Sequence, residues 1–378
     1  MTAQNNLKKS RLNVLQGHST NPDAKQAVQE LAAQIGQPQS KISLAFFSDA
    51  YDPHELGQAL EEYLPGSVVG CTTAGQLSPL GFQRGGISGA TLASDDLIAI
   101  PYLISPLSSL PDQVARIADD VQDRLRNSKM KAFGLLLVDG LSAREEILTA
   151  TLYRALGEVP IIGGSAGDML KFKQTFVYHQ GKLVEDAAVF TLCLTSLPFQ
   201  VFKHQHFHPT PTRLVITDAD PGKRLVREIN GEPAVEAYAR LIGTPVEKLN
   251  AAILSRHPLM LRIRDDYYVR GIAGIEADGS MRFFCAIEAG LVLTIGEGQS
   301  AGEMLALSLA QIKETIGDPA VIIGCDCILR RLEMEERGID EAIGQLFANN
   351  KVVGFSTYGE QFNSIHVNQT FTGIAIAG

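Results

Sequence analysis

A short turn sequence that occurs three times is the strongest constraint on how this chain can fold. The copies are VVGCTTAGQ (68–76), IIGGSAGD (161–168) and VVGFSTYGE (352–360). Each contains two apolar residues, a glycine, a hydroxyl-bearing residue and a second glycine. A glycine directly after a strand lets the backbone approach a ligand or another segment closely. The recurrence predicts a repeated architecture, with chance similarity of short apolar strands as the alternative.

Each turn closes a predicted strand–helix–strand unit. In the first unit, residues 42–48 predict a buried strand, and Asp52 is a candidate helix N-cap followed by Pro53 and an apolar stripe at helical spacing. The same order returns over 132–168 and over 320–360. Units of this kind form parallel strands joined by right-handed crossovers.

Other segments predict antiparallel strands. Residues 176–194 have the pattern of a hairpin plus a strand, and residues 265–298 contain repeated turn signals. We take the proline-bearing segment 195–210 as a domain junction. The predicted fold class is therefore α/β: a two-domain mixed α/β fold with repeated strand–helix–strand units, antiparallel segments and pseudo-symmetric halves. The predicted organisation is an N-terminal tail (1–30), an N-terminal domain (31–200) and a C-terminal domain (201–378).

Composition excludes several classes of protein. Lys and Arg number 33 against 42 Asp and Glu, a formal charge of −9, which argues against nucleic acid as a partner. A membrane span is not expected, because a run of about 18 apolar residues is missing. The first residues lack the apolar core of a signal sequence, so we expect a cytoplasmic protein. Five cysteines fit reduced thiols better than a disulfide scaffold.

The three turns are expected to line a shared ligand pocket, because ligands of α/β proteins bind beyond the carboxyl ends of the strands. The alternative is that each glycine only relieves crowding in a tight turn. The chain has neither a P-loop nor a G-x-G-x-x-G after the first strand, so ATP and NAD are not predicted. The candidate ligand-binding residues of the first two turns are Gly70, Cys71, Thr72, Gly163, Gly164 and Ser165.

Three cysteines invite a chemical interpretation. Cys71 could be a nucleophile, but the sequence indicates no base beside it, and a buried small residue is the alternative. Cys325 and Cys327 point the same way if the segment is a strand and could hold a metal, although a lone C-x-C motif is weak evidence beside a structural role. We therefore do not predict an enzyme.

The segment KHQHFHPT carries alternating histidines, His204, His206 and His208. If it is extended, all three imidazoles project from one face and form a usable ligand set for zinc, copper or haem iron. The alternative is an exposed, solvated strand at the domain junction.

The segment after the third turn, YGEQFNSIHVNQTFTG (358–373), is dense in amides and hydroxyls. It could line a polar pocket, with Tyr358, Gly359, Glu360 and Asn368 as candidate ligand-binding residues. A loop followed by a final strand is the alternative.

Together these segments resemble the FIST sensory family. VVGCTTAGQL and IIGGSAGD followed by QTFVYHQGKLVEDAAVF resemble its N-terminal half. VREINGEPAVEAYARLIG, GCDCILRR and VVGFSTYGEQFNSIHVNQT resemble its C-terminal half. The resemblance runs from about residue 30 to the end and implies a small-ligand sensor in signal transduction.

The segments CDCILRRLE and HFHPT are similar to the NosP branch of that family. This resemblance implies bound haem b, sensing of nitric oxide and regulation of a separate histidine kinase. It does not fix the iron ligand; the same-face argument favours His206, then His204, then His208, with Arg330 meeting carboxylates. The alternative is a sensor of a small organic ligand such as an amino acid, without haem. We also expect that the chain can form a homodimer.

Overall fold

The computed structural model describes residues 11–378. The chain first forms a unit in which two parallel strands are joined through a helix and followed by a hairpin and an antiparallel strand. The elements of this first unit are β1 (Asn13–Ser19), α1 (Ala24–Ile35), β2 (Ile42–Phe47), α2 (Pro53–Tyr63), β3 (Ser67–Thr72), β4 (Gln76–Ser78), β5 (Gly81–Gln83) and β6 (Ile87–Ala93).

The second unit repeats this order element by element. It consists of β7 (Leu97–Ile104), α3 (Leu110–Arg126), β8 (Lys131–Val138), α4 (Glu145–Leu156), β9 (Ile161–Ser165), β10 (Val177–His179), β11 (Lys182–Val184) and β12 (Ala188–Thr195).

The third unit has the same order but is interrupted after its first strand, β13 (Phe199–His204), by residues 207–298, which we call the insert. The insert forms a separate eight-stranded sheet with two helices. Its elements are β14 (Phe207–Asp220), β15 (Leu225–Ile229), β16 (Glu232–Pro233), α5 (Ala234–Leu241), α6 (Ala251–Arg256), β17 (Leu259–Ile263), β18 (Asp266–Arg270), β19 (Ile272–Ile275), β20 (Met281–Phe283) and β21 (Val292–Gly298).

The third unit then resumes and completes the body, our name for the three units together. Two shorter helices take the place of the single helix between its parallel strands. The remaining elements are α7 (Ala301–Ile316), β22 (Pro319–Cys327), α8 (Ile328–Glu336), α9 (Asp340–Asn349), β23 (Val352–Thr357), β24 (Glu360–Phe362), β25 (Ile365–Val367) and β26 (Phe371–Ala377).

The three units are joined by a cyclic exchange of hairpins. Each unit builds a six-stranded sheet, and the hairpin that follows its turn adds to the sheet of a different unit. Hairpin β4–β5 pairs with β23, β24–β25 pairs with β9, and β10–β11 pairs with β3. The resulting strand orders are β1-β6-β2-β3-β10-β11, β7-β12-β8-β9-β24-β25 and β13-β26-β22-β23-β4-β5. No unit can complete its sheet alone.

Helices cover the outer face of each sheet, and the inner faces pack against one another. One central cluster collects buried side chains from all three sheets, including Phe46, Leu135 and Phe355. Separate clusters lie between each sheet and its own helices. The insert has its own core, drawn from residues 214–295. Burial on both faces explains why the parallel strands are nearly continuous apolar runs.

The predicted mixed α/β fold with repeated strand–helix–strand units is confirmed, and the repeat it displays is threefold. Asp52 caps α2 as expected, accepting hydrogen bonds from the backbone of His54 and Glu55. Within residues 11–378, none of the helices is long and apolar enough to cross a membrane.

The N-terminal segment needs a correction. Residues 1–30 were expected to be a tail, but β1 pairs along its whole length with β6, and α1 buries Val28 and Leu31 against the first sheet. The prediction for residues 1–10 lies outside the described residues. The chain passes from the second unit to the third between Thr195 and Phe199, close to the predicted junction.

Candidate functional site

The three turns meet at the carboxyl ends of the parallel strands and hydrogen-bond to one another through their backbones. Each turn donates to the next, so the contacts form a closed cycle. The bonds run from Ala74 N to Ser356 O (2.9 Å), from Tyr358 N to Ser165 O (3.2 Å) and from Gly167 N to Thr72 O (3.1 Å). The predicted convergence is therefore present, but the turns seal the end of the central core and do not line an open space with their backbones.

The first glycine of each turn serves strand packing. Gly70, Gly163 and Gly354 each pair with a residue of the neighbouring parallel strand. A methyl group on any of them would collide with a backbone oxygen: 2.2 Å from Ala45 O, 1.9 Å from Leu136 O and 1.7 Å from Gly324 O, respectively. Relief of crowding, the alternative interpretation, accounts for Gly70 and Gly163.

The next position in each turn points into the central core. Cys71 is fully buried there, and Phe355 stacks on Phe46 with ring centroids 4.9 Å apart. A methyl group on Gly164 would lie 2.7 Å from the Phe355 ring. Burial raises the pKa of the Cys71 thiol well above its usual value, with a contribution from Cys325. A nucleophilic thiolate is disfavoured at such a site.

The threonine and serine of the first two turns are also buried and used structurally. Thr72 Oγ1 accepts a 2.9 Å hydrogen bond from Phe176 N, which fixes β10 to β3. Ser165 Oγ accepts one of 2.9 Å from Gln361 Nε2, which fixes β24 to β9. Both side chains therefore hold the exchanged hairpins in place.

His206 is the centre of a buried ionic chain. Its Nδ1 lies 3.1 Å from Arg330 Nη1, and its Nε2 lies 3.1 Å from a Glu333 carboxylate oxygen. Arg330 can only donate, so Nδ1 is the acceptor of that hydrogen bond. The ring proton is therefore on Nε2, which donates a hydrogen bond to Glu333. Arg330 also donates to Asp326 Oδ1 at 2.8 Å, and Glu333 is bound by Arg337 at 2.8 Å. Burial, partly offset by Glu333, lowers the pKa of His206.

Two of the predicted haem contacts, His206 and Arg330, are occupied by protein partners in this structure. Both nitrogens of His206, the first choice, are engaged, and its side chain is fully buried. Arg330 is equally buried and already paired, so it is not free to meet a propionate.

The other two histidines lie apart from His206. His204 ends β13 and His208 lies in β14, so the three do not share one continuous strand. His204 has an unpartnered Nε2, and burial lowers its pKa, so its imidazole is neutral as a metal ligand requires. However, the groove it lines is mainly polar, with Lys203, Asp266 and Gln311 among its walls, and does not suit a macrocycle. His208 is half-buried, with its Nε2 3.6 Å from Glu297.

Cys325 and Cys327 are buried at the end of β22, and burial raises the pKa of both thiols. Among the described residues, the histidines, cysteines and acids form no group of three that could hold a metal ion.

Glu360 is a fully buried carboxyl at the start of β24. It accepts hydrogen bonds from Thr370 Oγ1 (2.7 Å) and Thr370 N (3.2 Å). Burial raises its pKa to about 8, despite these bonds, with Asp326 adding to the rise. Glu360 is therefore protonated at neutral pH and can act as a donor as well as an acceptor inside the body.

A cavity of about 410 Å³ lies between the body and the insert, beyond the carboxyl ends of β8 and β23. Its walls are mainly apolar and aromatic. Phe172 and Tyr358 come from the body, with rings stacked at 4.9 Å, and Phe283 and Phe284 come from the insert. The remaining lining residues are Gly140, Leu141, Ala143, Glu145, Arg224, Ala273 and Arg282. We call this space the aromatic cavity.

One loop, residues 168–174, builds a wall of this cavity around Asp168. The Asp168 carboxylate accepts backbone hydrogen bonds from Phe172 (2.9 Å), Lys173 (2.6 Å) and Gln174 (3.0 Å), and a further bond from the Tyr358 hydroxyl. Burial alone would raise the pKa of Asp168, but these bonds hold it below its usual value. The loop thereby presents Phe172, which is 53% exposed, at the mouth.

Arg224 fastens the insert to α4. Its Nη2 lies 2.9 Å from Glu145 and 2.9 Å from Glu146, and Glu146 also accepts a 2.6 Å bond from Ala286 N. Burial opposes the charged forms of both Arg224 and Glu146. The ion pairs nevertheless raise the pKa of Arg224. The nearby His366 and Arg224 lower the pKa of Glu146. The pairing closes the inner side of the cavity.

Behind the aromatic cavity lies a buried polar layer between the insert and hairpin β24–β25. Arg270 Nη1 donates to His366 O at 3.2 Å. A methyl group on Gly359, next to Tyr358, would lie 2.2 Å from the His366 ring and 3.2 Å from Asn368 Nδ2. The polar residues predicted after the third turn are therefore brought together here.

Sequence reasoning missed the insert side of this site. Arg224, Arg270, Phe283 and Phe284 come from a segment predicted only to be antiparallel. Phe172 was missed because its role depends on the loop around Asp168. The one signal was the adjacent pair Phe283 and Phe284 at a strand end, where one ring faces the core and the other is free to line a surface.

Comparison with known proteins supports the assignment by resemblance. Residues 41–232 match a model of the FIST N domain, and residues 234–363 match a model of the FIST C domain. The chain is also 24% identical over 262 residues to an uncharacterized protein of Methanocaldococcus jannaschii, a match that covers 67% of this chain and 50% of the relative. The chain thus spans about half the length of that curated relative.

Proposed function

The chain belongs to the FIST family of signal-transduction sensors, and on this premise we propose that it senses a small organic molecule bound in the aromatic cavity. The observation that carries the proposal is the cavity itself. It lies where α/β proteins bind ligands, beyond the carboxyl ends of parallel strands. Its volume, about 410 Å³, is within the usual range for small-molecule sites, and its walls combine aromatic rings with a few charged groups.

The proposed role is binding without catalysis. The buried Cys71 thiol is held in its protonated form, and the polar groups nearest the cavity are engaged in structural pairs. Tyr358 is bonded to Asp168 and Arg224 to two carboxylates. These groups fix the shape of a pocket, which is what a sensor requires.

Signalling follows from where the ligand would bind. A molecule in the aromatic cavity touches both the body and the insert, so it favours whichever relative position gives better contacts with both. The Arg224 pairs with Glu145 and Glu146 are the contacts that any movement of the insert would change. We propose that the altered surface is recognised by a separate histidine kinase, as the resemblance implies.

Haem-based sensing of nitric oxide is the second proposal. Only the unpartnered, neutral His204 supports it, since His206 and Arg330 are paired with protein groups. A Soret band in haem-reconstituted protein that is lost in His204→Ala would favour it. Saturable haem binding that survives in His204→Ala, His206→Ala and His208→Ala would remove the histidine hypothesis.

The aromatic cavity can be tested by filling it. Ala273 lines the cavity, whereas Ala310 is exposed on α7. We expect Ala273→Leu to weaken binding of small aromatic probes at least tenfold, and Ala310→Leu to leave it unchanged. Ligand-observed NMR with phenylacetate and phenylacetamide measures both variants.

Equal binding of the probes by the wild type and by Ala273→Leu would show that the probes bind outside the aromatic cavity. The variants must first show the same circular dichroism spectrum as the wild type, so that a loss of binding reports the filled cavity and not misfolding.

A further inference from the structure

Arg270 is a buried cation without an acidic partner. Its residue exposure is 8%, and its guanidinium is in contact with the carbonyl of His366. The other buried arginines of the described chain, Arg330 and Arg331, each lie within 3.1 Å of a carboxylate. Among the described residues no acid lies within 4 Å of Arg270, and Glu146 is committed to Arg224 and Ala286 N.

Unpartnered polar atoms cluster in the same layer. Arg270 Nε, Asn368 Nδ2, Asn368 Oδ1 and Gln361 Oε1 are all buried and without hydrogen-bond partners. Asn368 is fully buried, so neither amide atom reaches bulk solvent. The Arg270 guanidinium contacts the carbonyl of His366, two residues before Asn368, and a methyl group on Gly271 would lie 3.1 Å from Asn368 Cβ.

Such an arrangement is costly unless something binds there. A buried charge without a counter-ion and a buried amide without partners each carry a desolvation penalty. Native proteins keep such groups mainly where a ligand, water or ion satisfies them. The unmet groups include two N–H donors, one of them on a cation, which is the pattern that a carboxylate satisfies with charge-assisted hydrogen bonds.

We propose that Arg270 and Asn368 bind the carboxylate of the sensed molecule, which is a small organic monocarboxylate with an apolar or aromatic body. The single positive charge of Arg270 matches the single negative charge of a carboxylate. A phosphate near pH 7 would bring more negative charge than Arg270 can neutralise. The apolar part of the ligand extends past Tyr358 into the aromatic cavity. In this extended form the inference rests on the proposed function; the anion site itself can be tested separately.

The anion site is tested first with acetate, which has no aromatic part. We expect sodium acetate to raise the melting temperature of the full chain above the value in sodium chloride of equal ionic strength, and acetamide not to do so. Arg270→Gln should abolish the acetate effect. Arg240→Gln, which removes an exposed arginine of α5 that lies outside the cavity lining, should retain it.

A second variant guards against a folding defect in Arg270→Gln. Asn368→Asp places a carboxylate beside Arg270 within the chain itself. We expect it to raise the melting temperature of the ligand-free protein and to remove the response to acetate. An acetate effect no larger than that of chloride in the wild type, or an undiminished effect in Arg270→Gln, overturns the proposal.

Aromatic probes then separate the two proposals. We expect phenylacetate to bind about ten- to a hundredfold more tightly than phenylacetamide, as a charge-assisted contact provides, and Arg270→Gln to erase the difference. If the two probes bind equally and Ala273→Leu weakens both, the proposal of a ligand in the aromatic cavity is kept and the proposal of a carboxylate site at Arg270 is rejected. If acetate acts through Arg270 but neither aromatic probe binds, the carboxylate site is kept and the aromatic cavity is rejected as the ligand site.

Discussion

At the scale of single residues, His206 is defined by its two neighbours. The imidazole accepts from Arg330 and donates to Glu333, while burial and the charge of Arg330 favour its neutral form. The chain of groups from Asp326 through His206 to Arg337 links the fully buried end of β22 to the surface at the point where the insert begins. His206, whose spacing suggested a metal ligand, therefore bridges Arg330 and Glu333 within the protein.

The burial of His206 predicts a loss of stability in mild acid. Burial lowers the pKa of folded His206, so below about pH 6.5, the usual value for an unfolded histidine, the unfolded chain binds a proton that the folded chain does not. Stability should be fully present above that pH and decline as the pH falls towards 5. His204, whose pKa burial also lowers, acts with the same sign.

Urea unfolding at pH 7 and pH 5 measures the effect. His206→Gln should show a smaller decline between the two pH values than the wild type, because one of the titrating groups is gone. His54→Gln, which changes an exposed histidine on α2, should match the wild type. A decline in His206→Gln as steep as in the wild type would mean that other groups control the acid response.

At the scale of elements, the conformation of loop 168–174 is held by side-chain hydrogen bonds, some of them from Tyr358 in another unit. Met169, Leu170 and Phe172 have positive φ, a backbone conformation that non-glycine residues rarely adopt. Hydrogen bonds to Asp168 and Tyr358 hold it. The third turn thus controls the shape of a loop that belongs to the second unit.

Tyr358→Phe should loosen this loop. The hydroxyl accepts a 2.7 Å bond from Leu170 N and donates to Asp168, so its removal leaves buried groups unsatisfied and should cost roughly 1–3 kcal/mol. We expect faster amide hydrogen exchange at Leu170 and Phe172. Tyr153→Phe, at an exposed tyrosine on α4, is the matched control. Unchanged exchange at Phe172 would show that Asp168 alone maintains the loop.

Elements were the scale at which sequence reasoning succeeded best. The alternation of apolar strands with capped, amphipathic helices identified β2, α2 and β3 and their later copies, because local periodicity specifies them. The hairpin β10–β11 was also evident. Its partner was not, because pairing of β10 with β3 depends on residues about 100 positions apart, which no local pattern encodes.

At the scale of the whole molecule, the exchange of hairpins makes the halves interdependent. Residues 31–200, the predicted N-terminal domain, lack the hairpin that completes the second sheet and the strand on which β4–β5 pairs. They also lack the third face of the central core. The insert, in contrast, draws its core from its own residues.

These facts predict opposite behaviour for two fragments. Residues 1–200 expressed alone should not show a cooperative thermal transition, whereas residues 207–298 should retain one. Differential scanning calorimetry with near-ultraviolet circular dichroism distinguishes them. A sharp transition in the 1–200 fragment would establish the N-terminal half as an independent domain.

The aromatic cavity also belongs to this scale, which is why sequence alone did not find it. Its walls come from the second unit, the third turn and the insert, with Phe172 and Phe283 more than 100 residues apart. The turns singled out in the sequence do meet in the structure, but their first glycines serve packing. The groups that line the cavity are neighbours of those turns and residues of the insert.

The cyclic exchange has a consequence for synthesis of the protein. The first sheet can close once residue 184 has been made, but hairpin β4–β5 must wait for β23, and β9 must wait for β24. Nearly the whole chain therefore has to leave the ribosome before two of the three sheets are complete. Until then unpaired strand edges are exposed to aggregation, so a chain truncated before β23 should yield insoluble protein.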